Sequence, residues 1–162
     1  MPDQPTFHRL TGGLNQPMLV VTTHAAGERS GCLVGFATQC SIHPERFLVL
    51  LSDQNHTFRV AQQADALAVH LLGDDDRHLA ELFGAETGDE VDKFERCAWS
   101  TGPADLPILD DVEGWFAGRV IQRTSFGDHV GHVLEPIAAH GRPPERPLTL
   151  GEVTDLDPGH DA

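Results

Sequence analysis

Basic residues are scarce in this chain: 11 Lys and Arg stand against 25 Asp and Glu in 162 residues, a formal charge of −14. Nonspecific attraction to a phosphate backbone or an anionic membrane needs clustered cations, so neither nucleic acid nor a membrane is expected as a partner. No window of about 18 apolar residues occurs, which argues against a membrane-spanning helix. The opening MPDQPTFHRL lacks the basic-then-apolar pattern of a signal peptide, and a cytoplasmic location is the expectation. Cysteines number only three, Cys32, Cys40 and Cys97, with no C-x-x-C spacing, so a disulfide framework and structural zinc are both poor readings. Neither a Walker phosphate loop nor a G-x-G-x-x-G fingerprint is present, and there is no internal repeat.

What the chain does contain is a set of short apolar runs adding up to a hydrophobic fraction of 40%. That suits one soluble domain with a real core. Residues 1–16 read as an irregular arm, 17–140 as the folded domain and 141–162 as a proline-rich, charged extension in which Leu148 to Val153 docks as a strand or short helix. Pro17 to Thr23 is the first strand, and His24 to Ser30 is a hairpin turn into a strand beginning at Gly31. Ala66 to Leu72 is a buried strand, and its His70 reads as a hydrogen-bonded core residue. Asp74, Asp75 and Asp76 precede a helix carrying Leu79, Leu82 and Phe83; negative charge at a helix start is favourable without any metal. Gly84 to Glu90 reads as an exposed loop, Val91 to Phe94 as a helical turn and Trp99 as the flank of an extended piece. Ile108 to Arg123 reads as a strand pair or one long bent strand with a bulge.

The organising stretch is Gly31 to Thr57, GCLVGFATQCSIHPERFLVLLSDQNHT. Small residues among the β-branched ones from Gly31 to Thr38 suit a strand that another body approaches closely. Gln39 to Arg46 reads as a polar loop and Phe47 to Leu51 as a buried strand. Ser52, Asp53, Gln54 and Asn55 offer caps for a helix over Thr57 to Gln63. Two readings of Ser52, Asn55, His56 and Thr57 stand side by side: helix capping alone, or capping together with the grip on an anion that a helix start permits. Any phosphate held there needs local neutralisation, and Arg29, Arg46, Arg59 and Lys93 are the nearest cations in sequence. The other informative stretch is Gly127 to Leu134; if it is a strand, His129, Gly131 and Val133 share one face, and Val130, His132 and Leu134 the other. Gly131 then leaves space beside His129 for a ligand; the competing reading is an exposed histidine after a turn at Gly127-Asp128.

Strands with interspersed helices and no regular βαβ alternation predict a mainly β, α+β protein built on a small β-barrel. Over Pro17 to Pro136 the chain resembles the flavin reductase-like family, whose members share the FMN-binding split barrel, Greek-key-like with short flanking helices. The resemblance is carried by Thr38-Gln39-Cys40-Ser41 with Pro44, by Ser52-Asp53-Gln54-Asn55-His56-Thr57, by Asp92-Lys93-Phe94 and by Gly127-Asp128-His129, in that order. Gln39-Cys40 and Gly35-Phe36 depart from the family pattern. The resemblance implies hydride transfer from NADH or NADPH to FMN or FAD, with the cofactors carrying the chemistry. It places the flavin ring along Thr38, Gln39, Cys40 and Ser41, and the phosphate by Ser52, Asn55, His56 and Thr57. Lys93 and Phe94 join the cofactor site, Phe94 as a wall or, equally, as a core aromatic. His129 is set beside the nicotinamide, with Asp128 fixing the turn that presents it. It also implies a homodimer and a flavin-dependent monooxygenase as recipient of reduced flavin. The alternatives are an FMN-binding electron carrier or redox sensor without nicotinamide turnover, a relative adapted to haem or deazaflavin, and a plain structural dimer.

Overall fold

The computed structural model describes residues 3–85 and 91–156. Seven antiparallel strands form one sheet in the order β2-β1-β5-β8-β9-β4-β3. They are β1 (Leu19–Ala25), β2 (Glu28–Val34), β3 (Ala37–Ser41), β4 (Arg46–Ser52), β5 (Ala66–Leu71), β8 (Gly114–Ser125) and β9 (His129–Gly141). The two edge strands, β2 and β3, are consecutive in the chain and joined only by Gly35-Phe36. That corner bends one extended segment from one edge of the sheet to the other, and the Leu50 amide donates to the Phe36 carbonyl at 2.9 Å to hold it. The sheet thereby closes into a split barrel, as the sequence predicts.

Alternation along the strands builds two cores. Leu19, Val21, Val34, Val49, Leu51, Leu67, Val69 and Leu134 point inward, with α2 (His56–Ala61) contributing Ala61 to the same interior. Met18, Val20 and Leu72 point outward and are covered by Leu79, Ala80 and Phe83 of α3 (Arg77–Ala85), and by Phe94, Leu148 and Val153. A small hairpin of β6 (Trp99–Thr101) and β7 (Pro107–Leu109) covers Ala66, Ala68 and Ala117. The close body expected beside Gly31 is Phe83: a Cβ on Gly31 would meet its ring at 2.8 Å.

Several expectations change. Residues 4–12 are not irregular but form α1 (Gln4–Gly12), with Pro5 in the first turn, where a missing N–H costs nothing. β2 starts at Glu28, because Ala26 and Gly27 at φ 52° and 77° complete the hairpin in two residues. Gln39 to Ser41 continue β3 rather than forming a loop; an exposed edge strand tolerates polar side chains on both faces. The link that follows is Ile42 to Glu45, with a cis His43–Pro44 bond. Ile108 to Arg123 divides between β7 and β8, and the expected bulge lies between Val120 and Gln122. Gly84 and Ala85 end α3 rather than open a loop, and the remainder of that segment lies outside the described residues. Leu148 docks, 1% exposed, and a 3-10 turn at Leu150–Glu152 follows it.

His70 is a core residue at both ring nitrogens. Nε2 takes the Leu109 amide at 3.1 Å, so Nδ1 carries the proton and donates to the Val20 carbonyl at 2.9 Å. Burial lowers its pKa to about 4. Asp76 accepts the Gly73 amide at 2.8 Å, so one of the three aspartates caps its own helix turn. Among the described residues no group of three or more His, Cys, Asp or Glu is gathered to hold a metal ion.

Candidate functional site

Two cavities share the β2 wall. The first, of about 400 Å³, is polar and lined by Gly27–Gly31, His56 and Val91–Phe94. The second, of about 250 Å³, is mainly apolar and lined by Met18, Cys32–Phe36, Leu50–Ser52, Asn55, Gly84, His129 and Leu150. The lining passes from one to the other between Gly31 and Cys32, and again between Asn55 and His56.

The polar cavity sets two cations, Arg29 and Lys93, with His56 against two carboxylates, Glu28 and Asp92, a local balance unlike the acidic excess of the whole chain. Arg29 stacks its guanidinium 4.6 Å from the Trp99 ring centroid, which holds the charge without neutralising it. Lys93, 5% exposed, donates to the carbonyls of Gly31 (3.2 Å) and Phe83 (3.0 Å). Its charge thereby also serves the C-terminal turn of α3. His56 reaches Glu28 at 2.7 Å. Below them the Ser30 and Thr57 hydroxyls share a buried hydrogen bond of 2.8 Å.

At the apolar cavity, Asn55 accepts the Thr57 amide at 2.8 Å and Ser52 Oγ accepts the Gln54 amide at 3.3 Å. Asn55 thus caps α2, whereas Ser52 closes the turn that leads into it. The Asp53 amide donates to the Asp128 carbonyl at 2.9 Å, and Ser52 pairs with His129 across β4 and β9. These contacts tie the start of α2 to the tip of the β8–β9 hairpin and deliver His129 to the cavity. Asp128 is ionised, its pKa held down by the His129 hydrogen bond; a carboxylate only accepts, so His129 Nδ1 carries the proton across the 2.8 Å contact. Nε2 is the nitrogen not engaged by Asp128. The ring leans against Phe36, centroids 5.0 Å apart. In the cavity wall, burial pushes the Cys32 thiol up, against opposing effects from Lys93, Thr57 and Asn55, so it is a packing residue rather than a nucleophile.

Of the residues singled out in the sequence, Ser52, Asn55 and His129 meet at one cavity and His56, Lys93 and Phe94 at the other. Thr57 lies beneath them and Asp128 orients His129. Phe94 is 5% exposed and packs 5.7 Å from both Phe83 and Trp99, so most of its surface belongs to the core. Thr38, Gln39, Cys40 and Ser41 line neither cavity; they run along β3, where Gln39 Nε2 donates to the Ser41 carbonyl at 3.1 Å. The open space expected over Gly131 is taken by Phe126, whose ring would lie 2.7 Å from a Cβ there. The sequence reading missed Ser30, Leu33, Phe36 and Leu150. Ser30 and Leu33 follow from running β2 back to its turn, whereas nothing local marks Leu150.

The antiparallel sheet, curled so that its edge strands β2 and β3 follow one another in the chain, thus sets an apolar slot beside a polar one that carries Arg29, His56 and Lys93. The chain belongs to the flavin reductase like domain family, which matches residues 11–154. It is 27% identical over 110 residues to FMN reductase (NADH) RutF of Variovorax paradoxus, covering 68% of this chain and 61% of that protein. It is 29% identical over 149 residues to the NADH:riboflavin 5'-phosphate oxidoreductase of Streptomyces pristinaespiralis, covering 90% of this chain and 82% of that one. The crystal structure of a flavin reductase domain protein from Arthrobacter sp. FB24 superposes with a TM-score of 0.83 at 24% identity, over 99% of this chain and 96% of that one. The chain therefore spans about three-fifths of the length of the Variovorax relative.

Proposed function

We propose that the chain is an NAD(P)H-dependent flavin reductase that takes FMN, or FAD, in the two cavities. The observation that carries this reading is their adjacency: an apolar slot walled by Leu33, Val34, Phe36 and Leu51 opens beside Arg29, His56 and Lys93. That donor set fits a flavin nucleotide, flat ring in the first and phosphate in the second. The names of the Variovorax and Streptomyces relatives favour FMN and NADH. When bound, the flavin supplies the hydride-accepting chemistry. The chain's residues bind and orient: Arg29 and Lys93 offset the anion, the β2 and β4 side chains exclude water, and His129 presents Nε2 to the nicotinamide, its ring held by Asp128 and Phe36. The exposed segment Thr38 to Ser41 is assigned to the polar edge of the ring at a dimer interface.

The homodimer is part of the proposal. Its support is the uncovered apolar surface that includes Phe36 and Phe126, which are 50% and 63% exposed. Three free cysteines suit a reducing, cytoplasmic setting, and reduced flavin passes to a separate monooxygenase. The test is anaerobic mixing of NADH or NADPH with FMN or FAD and the purified chain. Bleaching of the flavin band is expected with at least one of the four pairings, and bleaching with none overturns the reductase. Tightly bound flavin that no nicotinamide reduces selects the electron carrier instead. His129→Ala is expected to slow hydride transfer by about 100-fold with flavin affinity mostly kept; an unchanged rate removes His129 from the mechanism.

A further inference from the structure

We infer that the C-terminal segment Pro147–Leu156 is a latched wall of the apolar cavity that sets how tightly and how long the flavin is held, with Leu150 as its contact residue and Arg77 as its positioning residue. The inference rests on the proposal that the flavin ring occupies this cavity.

The segment crosses the barrel where β1 begins and β5 ends. Its inner side is fixed by backbone: the Met18 amide donates to the Leu148 carbonyl at 2.7 Å, and the Leu148 amide to Leu72 at 2.9 Å. The Leu150 amide then donates to Gln16 at 2.8 Å, and the Gly151 amide to the Asn15 side chain at 2.8 Å. This register sets Leu150 in the cavity lining, beside Met18 and Gly84. Gly84 offers no side chain there, and a Cβ on it would press on the Leu33 side chain at 2.6 Å. On that side Leu150 and Met18 supply the side-chain wall, and Leu150 is the one that the C-terminal segment contributes.

Among the described residues, the hydrogen bonds that tie the far end of the segment to α3 come from Arg77, beside Leu156, which packs on the same core. Arg77 Nη2 donates to both carboxylate oxygens of Asp155, at 2.9 and 2.8 Å, and Nη1 donates to the Glu152 carbonyl. Arg77 Nε donates to Glu81 at 3.1 Å, which fixes the guanidinium in position. A fork on two points of one segment defines orientation in a way a point charge cannot. Arg77 opens α3 and Gly84 lies near its end, so the latch and the cavity wall share one rigid element. The latch is exposed, and exposed ion pairs contribute little to global stability; Leu148 and Val153, 1% and 5% exposed, anchor the segment to the core in any case. Loss of the latch is therefore expected to free the segment's end without unfolding the barrel.

The experiment measures FMN affinity by fluorescence titration and FMN release by stopped flow, on the parent chain and on Leu150→Ala, Arg77→Ala and Arg77→Lys. Leu150→Ala is expected to weaken binding about tenfold, mostly through faster release. Arg77→Ala is expected to speed release about threefold at an unchanged melting temperature. Arg77→Lys recovers part of that, and high salt moves the parent toward Arg77→Ala. A purely structural role would instead lower the melting temperature and leave release indifferent to salt. Release at the parent's rate in both alanine variants overturns the latch while leaving the flavin reading standing. A parent chain that binds neither FMN nor FAD overturns the flavin reading and the wall together.

Discussion

β4 and β5 carry the same signal in sequence, an unbroken apolar run, and meet different fates. β5 is buried on both faces: Leu67 and Val69 point into the barrel, while Ala66, Ala68 and His70 lie under β7 and its hairpin. β4 sends Val49 and Leu51 inward in the same way, but Leu48 and Leu50 on its outer face are only half-buried. Near them Phe36 and Phe126 stand 50% and 63% exposed. A continuous apolar strand is the mark of cover on both sides. On the β1–β5 half the chain supplies that cover from α3, the β6–β7 hairpin and the C-terminal segment. On the β3–β4–β9 half the described residues supply no helix or hairpin, only the Phe126 ring over Gly131 and beside Leu48, which is the physical basis for proposing a second copy on that face.

The largest expected effect tests the self-covered half. Phe83 is 2% exposed and fills the space over Gly31 against Phe94. Phe83→Ala is expected to cost about 3–5 kcal/mol of unfolding free energy, read by denaturant titration in dilute protein. A cost under about 1 kcal/mol would mean that α3 is a loose cover and that the two halves differ less than their burial indicates.

A second effect of nearly that size comes from His70, at the seam where the hairpin closes over β5. Its Nε2 must stay unprotonated to receive the Leu109 amide, and its pKa falls to about 4 from an ordinary 6.5. The unfolded chain therefore takes up this proton first as pH falls. The stability held above pH 6.5 is lost progressively down to about pH 4, up to about 3 kcal/mol. His132, also lowered by burial, acts in the same direction, whereas Asp76, whose carboxyl burial pushes up, opposes it. Unfolding free energies of the parent and of His70→Phe across pH 7.5 to 4 isolate the contribution. Parallel curves would show that the hairpin tolerates the imidazolium.

The same contrast explains what sequence could and could not reveal. β1, β4 and β5 were legible because burial imposes a pattern on every residue, and the Asn55 cap because its hydrogen bond spans two positions. Gln39 to Ser41 read as loop, although the strand reading reaches Thr38, because an exposed edge strand imposes no apolar pattern on them. α1 lacks that signal too, because its Phe7 and Leu10 remain 54% and 68% exposed and none of its residues is buried. At the site, His129 with Asp128 was legible from a short motif. Leu150 was not, because it enters the cavity through hydrogen bonds to residues more than 70 positions away in sequence. Phe126 over Gly131 shows the opposite error: a glycine read as room for a ligand is room for a neighbouring ring.

The smallest effect on the single chain is expected from the uncovered half. Phe126, at the hairpin tip, lies over Gly131 and beside Leu48 but remains mostly in solvent. Phe126→Ser removes little buried area, so at low protein concentration it is expected to change unfolding free energy by under about 1 kcal/mol. Its effect belongs to assembly: sedimentation is expected to show the parent as a dimer and the variant shifted toward monomer, because a large aromatic at an interface centre carries a disproportionate share of the association energy. A parent that sediments as a monomer at all concentrations leaves Leu48 and Leu50 without their second cover and removes the homodimer from the proposal. A variant as dimeric as the parent moves the interface away from the hairpin tip, toward β3 and the exposed Ile42.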